Sequence, residues 1–301
     1  MFITRGMRQG PYRHYLSLEV EPAAATLASV AASGDVERLR RFLAAEEESP
    51  PSEETIQYLL ASASWAEEIS IVEYLLAEYP PGKVAEYPPG KVAEEPIRAA
   101  IYSGSMPLVS AFLRVDPDIL LMQYDRQGSA LIAACRSRQR PEFIRFLLEA
   151  GADPNQDPDC AYLPPLGWVA GWYQKSYPGT EVVDMLLDYG AETANSGALR
   201  WAARGNHEDV VRRLLERGAD HEKDSADHIQ LRGKQSPALH EAASRGYIGV
   251  MRILLEHGVD VNCKSSNGKT AFEEAEQIEA VTGIDLSAAK ELLTSWNQVQ
   301  A

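Results

Sequence analysis

A chain of 301 residues that is 45% hydrophobic and 24% charged has the balance of a folded protein, with material for a large core or two ordinary domains. Its net charge of −15 argues against a basic surface for nucleic acid, and no apolar run reaches membrane-spanning length, so neither nucleic acid nor membrane is expected as a partner. The three cysteines, Cys135, Cys160 and Cys263, form no C-x-x-C unit and have no histidine at zinc-ligand spacing; they read as reduced thiols of a cytoplasmic or nuclear protein.

Residues 1–26 begin "MFITRGMRQGPYRHYLSLEVEP". Arg5, Arg8 and Arg13 are present, but there is no apolar segment of a secretory signal, and Gly6, Gly10 and Pro11 interrupt any amphipathic helix. A mobile arm is expected there. From Leu27 a two-helix pattern sets in. Its first apolar residue recurs at Leu27, Leu60, Ile97, Leu131, Leu166, Leu199, Leu239 and Phe272, at intervals of 33, 37, 34, 35, 33, 40 and 33. Residues 27–301 are therefore expected to form a single all-α repeat domain.

Glu46, Glu47 and Glu48, with Glu53 and Glu54 beyond Pro50-Pro51, are expected in a solvated loop. The octapeptide "AEYPPGKV" is then written twice, over residues 77–92. Without one copy the interval of 37 would shorten to 29, and Pro80, Pro81, Pro88 and Pro89 forbid helix. The duplication reads as extra loop length, which costs little closure entropy. As a docking finger it lacks P-x-x-P spacing. The fifth unit, "LGWVAGWYQKSYPGTEVVDMLL", separates its helices further: Leu166 and Leu187 are 21 residues apart, where Leu239 and Leu255 are 16 apart. The sixth is followed by a longer finger, "HEKDSADHIQLRGKQ", at 221–235.

The clearest unit is "PALHEAASRGYIGVMRILLEHGVDVN", residues 237–262. Leu239, Ala242 and Ala243 share one face of a short helix, and the alanines allow close approach of a neighbour. Gly246 supplies a positive φ that ends it. Val250, Met251, Leu254 and Leu255 recur at helical spacing, so a second helix follows, and Gly258 ends that one.

These residues carry a resemblance. "ALHEAASRG" (238–246) and the second-helix endings "FLLEAGADPN" (146–155), "MLLDYGAE" (185–192), "RLLERGAD" (213–220) and "ILLEHGVDVN" (253–262) resemble the ankyrin-repeat family over about residues 27–295. The resemblance implies an all-α ankyrin-repeat solenoid of stacked helix-turn-helix units that binds another protein on its concave side. The family's Thr-Pro-Leu-His box is degenerate here, with "SPALH" nearest. Glu67 stands where the family usually has Gly, and the last unit is stretched between its helices.

Catalytic signatures fail. "SNGKT" (266–270) resembles the end of a phosphate-binding loop, but the required glycine is replaced by Cys263, and there is neither a G-x-S-x-G nor an H-E-x-x-H. His207 and His240 fall where the ankyrin pattern itself favours histidine. His221 and His228 lie in the acidic finger, read as a solvated loop. No catalytic residue, cofactor or metal is assigned.

A surface remains. The residues after each small-residue pair run Trp65, Tyr102, Arg136, Trp172, Arg204 and Arg245. These types are enriched at binding hot spots, and the family resemblance places them on the concave side. The expected partner segment is apolar, then acidic or phosphorylated. The alternative is a small-molecule binder or enzyme with an aromatic pocket of Trp168, Trp172, Tyr173, Tyr177 and Trp201, and with Glu181 or Asp184 as acidic groups. A closed cavity beside the fifth unit would favour that alternative.

Overall fold

A computed structural model describes residues 22–45, 51–80, 91–124, 128–155, 163–220 and 237–300. The chain gathers into two compact units, Met1–Arg126 and Gln127–Ala301.

In the first unit the helices come in pairs: α1 (Pro22–Ala31) with α2 (Val36–Ala45), α3 (Glu53–Trp65) with α4 (Ile69–Glu78), and α5 (Glu94–Ser103) with α6 (Met106–Val115). A 3-10 turn (Pro117–Leu121) and a two-residue strand, β1 (Gln123–Tyr124), follow. The first helices of successive pairs pack in one row and the second helices in another. Between the rows lie Leu39, Leu59, Leu60, Leu75, Ile97, Leu108 and Phe112, all fully buried. No pair could bury both of its apolar faces alone, so stacking is what makes the core. Helix α1 begins at Pro22, so residues 22–26, expected in the arm, are helical; residues 1–21 lie outside the described residues.

Two sequence expectations change here. Glu53 and Glu54 are not in a loop but in the first turn of α3, which Ser52 caps by accepting from the Thr55 amide. Carboxylates are favoured at that end of a helix dipole. Glu53 is buried and accepts from Gln57 Nε2 at 2.7 Å. Of the duplicated octapeptide, residues 81–90 lie outside the described residues, but the last two residues of the second copy are built into the fold. Val92 is buried. Its amide donates to Asp116 Oδ2 at 3.2 Å, and Lys91 Nζ reaches Asp116 Oδ1 at 3.1 Å. Removing residues 85–92 leaves Lys83-Val84 directly before Ala93, so the same two contacts can re-form. That deletion is expected to preserve helical content and to shift the melting temperature by no more than about 2–4 °C. Cooperative loss of helix in circular dichroism would make the second copy essential.

Glu67 sits at φ 60° between α3 and α4, at a turn position where Gly104 and Gly246 have φ 67° and 69°. The left-handed region strains a side-chain-bearing residue by roughly 1–2 kcal/mol, part of which glycine gives back as unfolded-chain entropy. Glu67→Gly is expected to raise stability by up to about 1 kcal/mol. A lowered urea midpoint would show that Glu67 makes a compensating contact.

The second unit continues the pattern. It comprises β2 (Gly128–Ser129), α7 (Ala130–Arg136), α8 (Pro141–Glu149), α9 (Pro165–Gly171), α10 (Glu181–Asp188), α11 (Ala198–Arg204), α12 (Glu208–Glu216), α13 (Ala238–Ala243), α14 (Ile248–Glu256), α15 (Ala271–Thr282) and α16 (Ser287–Gln300). The first-helix row α7, α9, α11, α13, α15 packs through small residues; Ala133, Ala134, Ala170, Ala202, Ala203, Ala242 and Ala243 are all fully buried. The added length in the fifth unit forms a 3-10 turn (Tyr173–Lys175) and a loop. Buried Gln174 pins it by accepting from the Gly179 amide and donating to the Val169 carbonyl.

In the last pair the stretch expected between the helices is helix instead, since α15 runs on to Thr282 and Gly283 ends it at φ 73°. Thr270 and Glu273 form a capping box at its start. Phe272, read as the opening core residue, is 36% exposed, while Ala271 and Ala275 make the buried contacts of α15.

Candidate binding surface

All six residues of the sequence-derived row lie at or just beyond the C-terminal end of a first helix. Trp65 and Tyr102 are in the first unit, on α3 and α5, and both are half-buried. Trp65 Nε1 donates to Glu95 Oε1 at 3.1 Å, and Glu95 also pairs with the buried Arg98.

In the second unit, Arg136, Trp172, Arg204 and Arg245 do not stand apart from the aromatic cluster offered as the alternative. The two merge. The Arg136 guanidinium lies 5.2 Å from the Trp168 ring centroid, Trp168 is 4.7 Å from Trp172, and Trp172 is 4.1 Å from Trp201. Arg200 and Arg204 lie 5.5 and 5.3 Å from the Trp201 ring. The three half-buried indoles rest on buried Leu163. Each guanidinium over an indole adds about 0.5–1 kcal/mol at an exposed site.

The ladder continues through Glu241. This carboxylate is 5% exposed. Its Oε1 accepts from Arg200 Nε and Nη2 at 3.1 and 3.0 Å, and its Oε2 from Arg204 Nη1 at 3.2 Å and Arg245 Nη1 at 2.7 Å. A carboxylate can be buried this deeply because three cations satisfy it. Arg136 and Arg204 also occupy the last turns of their helices, where the dipole favours positive charge.

Both pattern histidines act between neighbouring repeats. His207 Nε2 is 3.2 Å from the Gly171 carbonyl, and His240 Nε2 is 2.9 Å from the Lys269 carbonyl, next to the α15 cap. Burial holds the His240 imidazole below its ordinary pKa, which keeps it neutral. Cys135 is inert for the same reason: burial pushes its thiol up to about 12. The finger residues His221 and His228, and Cys160, lie outside the described residues.

Of the expected aromatic pocket, the three tryptophans stay together while the two acids are engaged elsewhere. The indole rings lie against one another, leaving no slot for a planar ligand between them. Tyr177 is half-buried in the loop, and the Tyr173 side chain lies outside what is described. Asp184 pairs with Arg213 and Arg217, and Glu181 with Arg145, so both acids are engaged on second-helix partners. Two open concavities lie elsewhere among the described residues, one beside Leu187, Ala191 and Arg217 and one on α16. Sequence reasoning missed Arg200, Glu241 and Leu163. The four-residue spacing of Glu241 and Arg245 was the available signal for one pair.

Residues 221–275 match the family model for ankyrin repeats in many copies, and residues 128–158 and 194–225 match that for the ankyrin repeat. The chain contains ankyrin repeats. Among its relatives, BCL-6 corepressor-like protein 1 of Homo sapiens is 38% identical over 84 residues, which is 28% of this chain and 4% of that protein. Ankyrin repeat domain-containing protein SAT10 of Stachybotrys chartarum is 28% identical over 209 residues, 66% of this chain and 10% of the relative. B-cell lymphoma 3 protein homolog of Mus musculus is 28% identical over 148 residues, 45% of this chain and 30% of the relative. The chain thus spans under a third of each relative's length. Ankyrin repeats generally act by binding other proteins through the extended surface that stacking creates.

Proposed function

We infer that the chain is a non-enzymatic protein-binding scaffold whose second unit holds a segment of a partner protein along the ladder Arg136, Trp168, Trp172, Trp201, Arg204, Arg245. The observation that carries this reading is the unbroken contact of three half-buried indoles, bracketed by guanidinium groups. Trp and Arg dominate binding energy where they cluster, because a rigid ring removes much apolar area from water at little entropic cost. The complementary segment is apolar against the indoles and acidic toward Arg204 and Arg245. Trp65 and Tyr102 are contacts of the first unit in the same reading.

The test is affinity capture with the intact chain, followed by titration of the purified captured protein. Trp172→Ala and Arg204→Ala are each expected to weaken binding by about 1–3 kcal/mol with helical content retained. Arg204→Ala is also expected to reduce the salt dependence, since that side chain is 44% exposed. If both variants fold and bind undiminished, the ladder is not the binding surface.

A further inference from the structure

We propose that the tip joining α15 to α16, which carries Val281 and Ile284, is a docking knob for a partner protein segment whose apolar residues are flanked by lysine or arginine. This surface is separate from the ladder and does not depend on it.

The tip exists because α15 is long. Its first residue, Ala271, lies one period of 33 after Ala238 at the start of α13, but α13 ends at Ala243 and α15 at Thr282. Residues 277–282 therefore run about 9 Å past the point where the preceding first helix stops, at a rise of about 1.5 Å per residue. That length is spent on exposed apolar groups: Val281 is 78% exposed and Ile284 54%. Local rules favour neither residue. A terminal repeat gains solubility from a polar outer face, and a β-branched side chain lowers helix propensity.

The tip is tied down. Leu286 is buried, and its Cδ2 lies where a side chain on Gly246 would meet it, so the loop rests on the turn after α13. Residues 221–236, outside the described residues, enter α13 at its other end. Glu279 Oε1 accepts from the Leu286 amide at 3.0 Å, and Glu279 Oε2 pairs with Lys290 of α16. Thr282 Oγ1 donates to the Ile278 carbonyl at 2.7 Å and accepts from the Ile284 amide at 3.3 Å, while Asp285 Oδ1 accepts from the Ser287 amide at 3.0 Å. Apolar groups on a backbone so constrained lose little further freedom on binding.

Charge selects the occupant. Among the described residues, Lys290 is the base that faces Glu276, Glu279 and Asp285, and all three favour its charged form. One cation against three carboxylates leaves the rim of the tip acidic. A second copy of the chain, packed symmetrically, would bring the same acidic rim opposite, and an anionic bilayer would be repelled likewise. A segment with Lys or Arg beside its apolar residues satisfies both the exposed side chains and the rim.

The experiment is an NMR titration of the intact chain, observing methyl signals and the Gly283 amide, with two synthetic peptides as probes. Both have a core of leucine and valine; one is flanked by lysines, the other by glutamates. The lysine-flanked peptide is expected to shift Val281, Ile284 and Gly283 saturably, with affinity at least about tenfold above the glutamate-flanked one and falling with salt. Val281→Ser combined with Ile284→Ser should remove the Gly283 shift at an unchanged melting temperature. Glu276→Lys, at an exposed position, should weaken the first peptide and strengthen the second. Trp172→Ala should leave both affinities as they are, so failure of the ladder and failure of the tip are read separately. Equal affinity for the two peptides, an unchanged preference in Glu276→Lys, or a shift that survives the double serine variant would each overturn the proposal. So would a dimer in sedimentation velocity that the double variant abolishes, since a second copy would then cover the tip.

Discussion

Ala243→Asp is expected to open the C-terminal end of the second unit. Ala243 is fully buried on α13, which packs against α11 on one side and α15 on the other. A methyl group is all that this close approach accommodates. An aspartate there must either displace α15 or keep an unpaired carboxylate out of water, at a cost of several kcal/mol unless it protonates. In a stack held by nearest-neighbour contacts the damage stays local at first, so α13 to α16 should lose protection before α7 to α11. Hydrogen exchange across residues 237–298 is the measurement. Unchanged protection in that region would refute the register that places Ala243 between neighbouring helices.

Gly167→Ala is expected to be nearly as damaging, and to dismantle the binding surface. Gly167 lies on α9, where a Cβ would fall inside the van der Waals surface of the Ser196 carbonyl oxygen. That oxygen is backbone, in the turn that leads into α11, so it cannot swing away as a side-chain tip would. Inserting a methyl into such a contact typically costs about 1–3 kcal/mol, with the larger values where the backbone must move. Helix α9 carries Trp168 and leads into Trp172, and α11 carries Trp201, so relief of the clash separates the rings that now lie 4.1 Å apart. The expected result is a lowered melting temperature together with a change in near-ultraviolet circular dichroism and in tryptophan emission. A variant that keeps the wild-type near-ultraviolet spectrum would show that α9 and the 193–197 turn are not in contact.

Much of this was legible in the chain itself. The period near 33, the buried alanine pairs and the glycines after several helices follow from local rules, because helix periodicity and positive-φ turns are properties of short segments. Even Glu67, out of place as a residue type, occupies the left-handed turn that its position in the repeat requires. The row from Trp65 to Arg245 could be placed at first-helix ends for the same reason.

Other features depended on which side chains the stacking brings together. The indoles of Trp168, Trp172 and Trp201 come from two different repeats, and only the approach of α9 to α11 through Gly167 and Gly171 makes them one surface. Glu241 reads in sequence as an ordinary helix acid. Its burial among Arg200, Arg204 and Arg245 depends on the packing of α11 against α13, across a separation of 41 residues for Arg200. Asp116 likewise captures Lys91 and Val92 from 25 and 24 residues away. Helix and turn positions are set by neighbours in the chain, so the sequence alone determined the repeat. Side-chain clusters are set by neighbours in space, so only the tertiary structure decided the ladder.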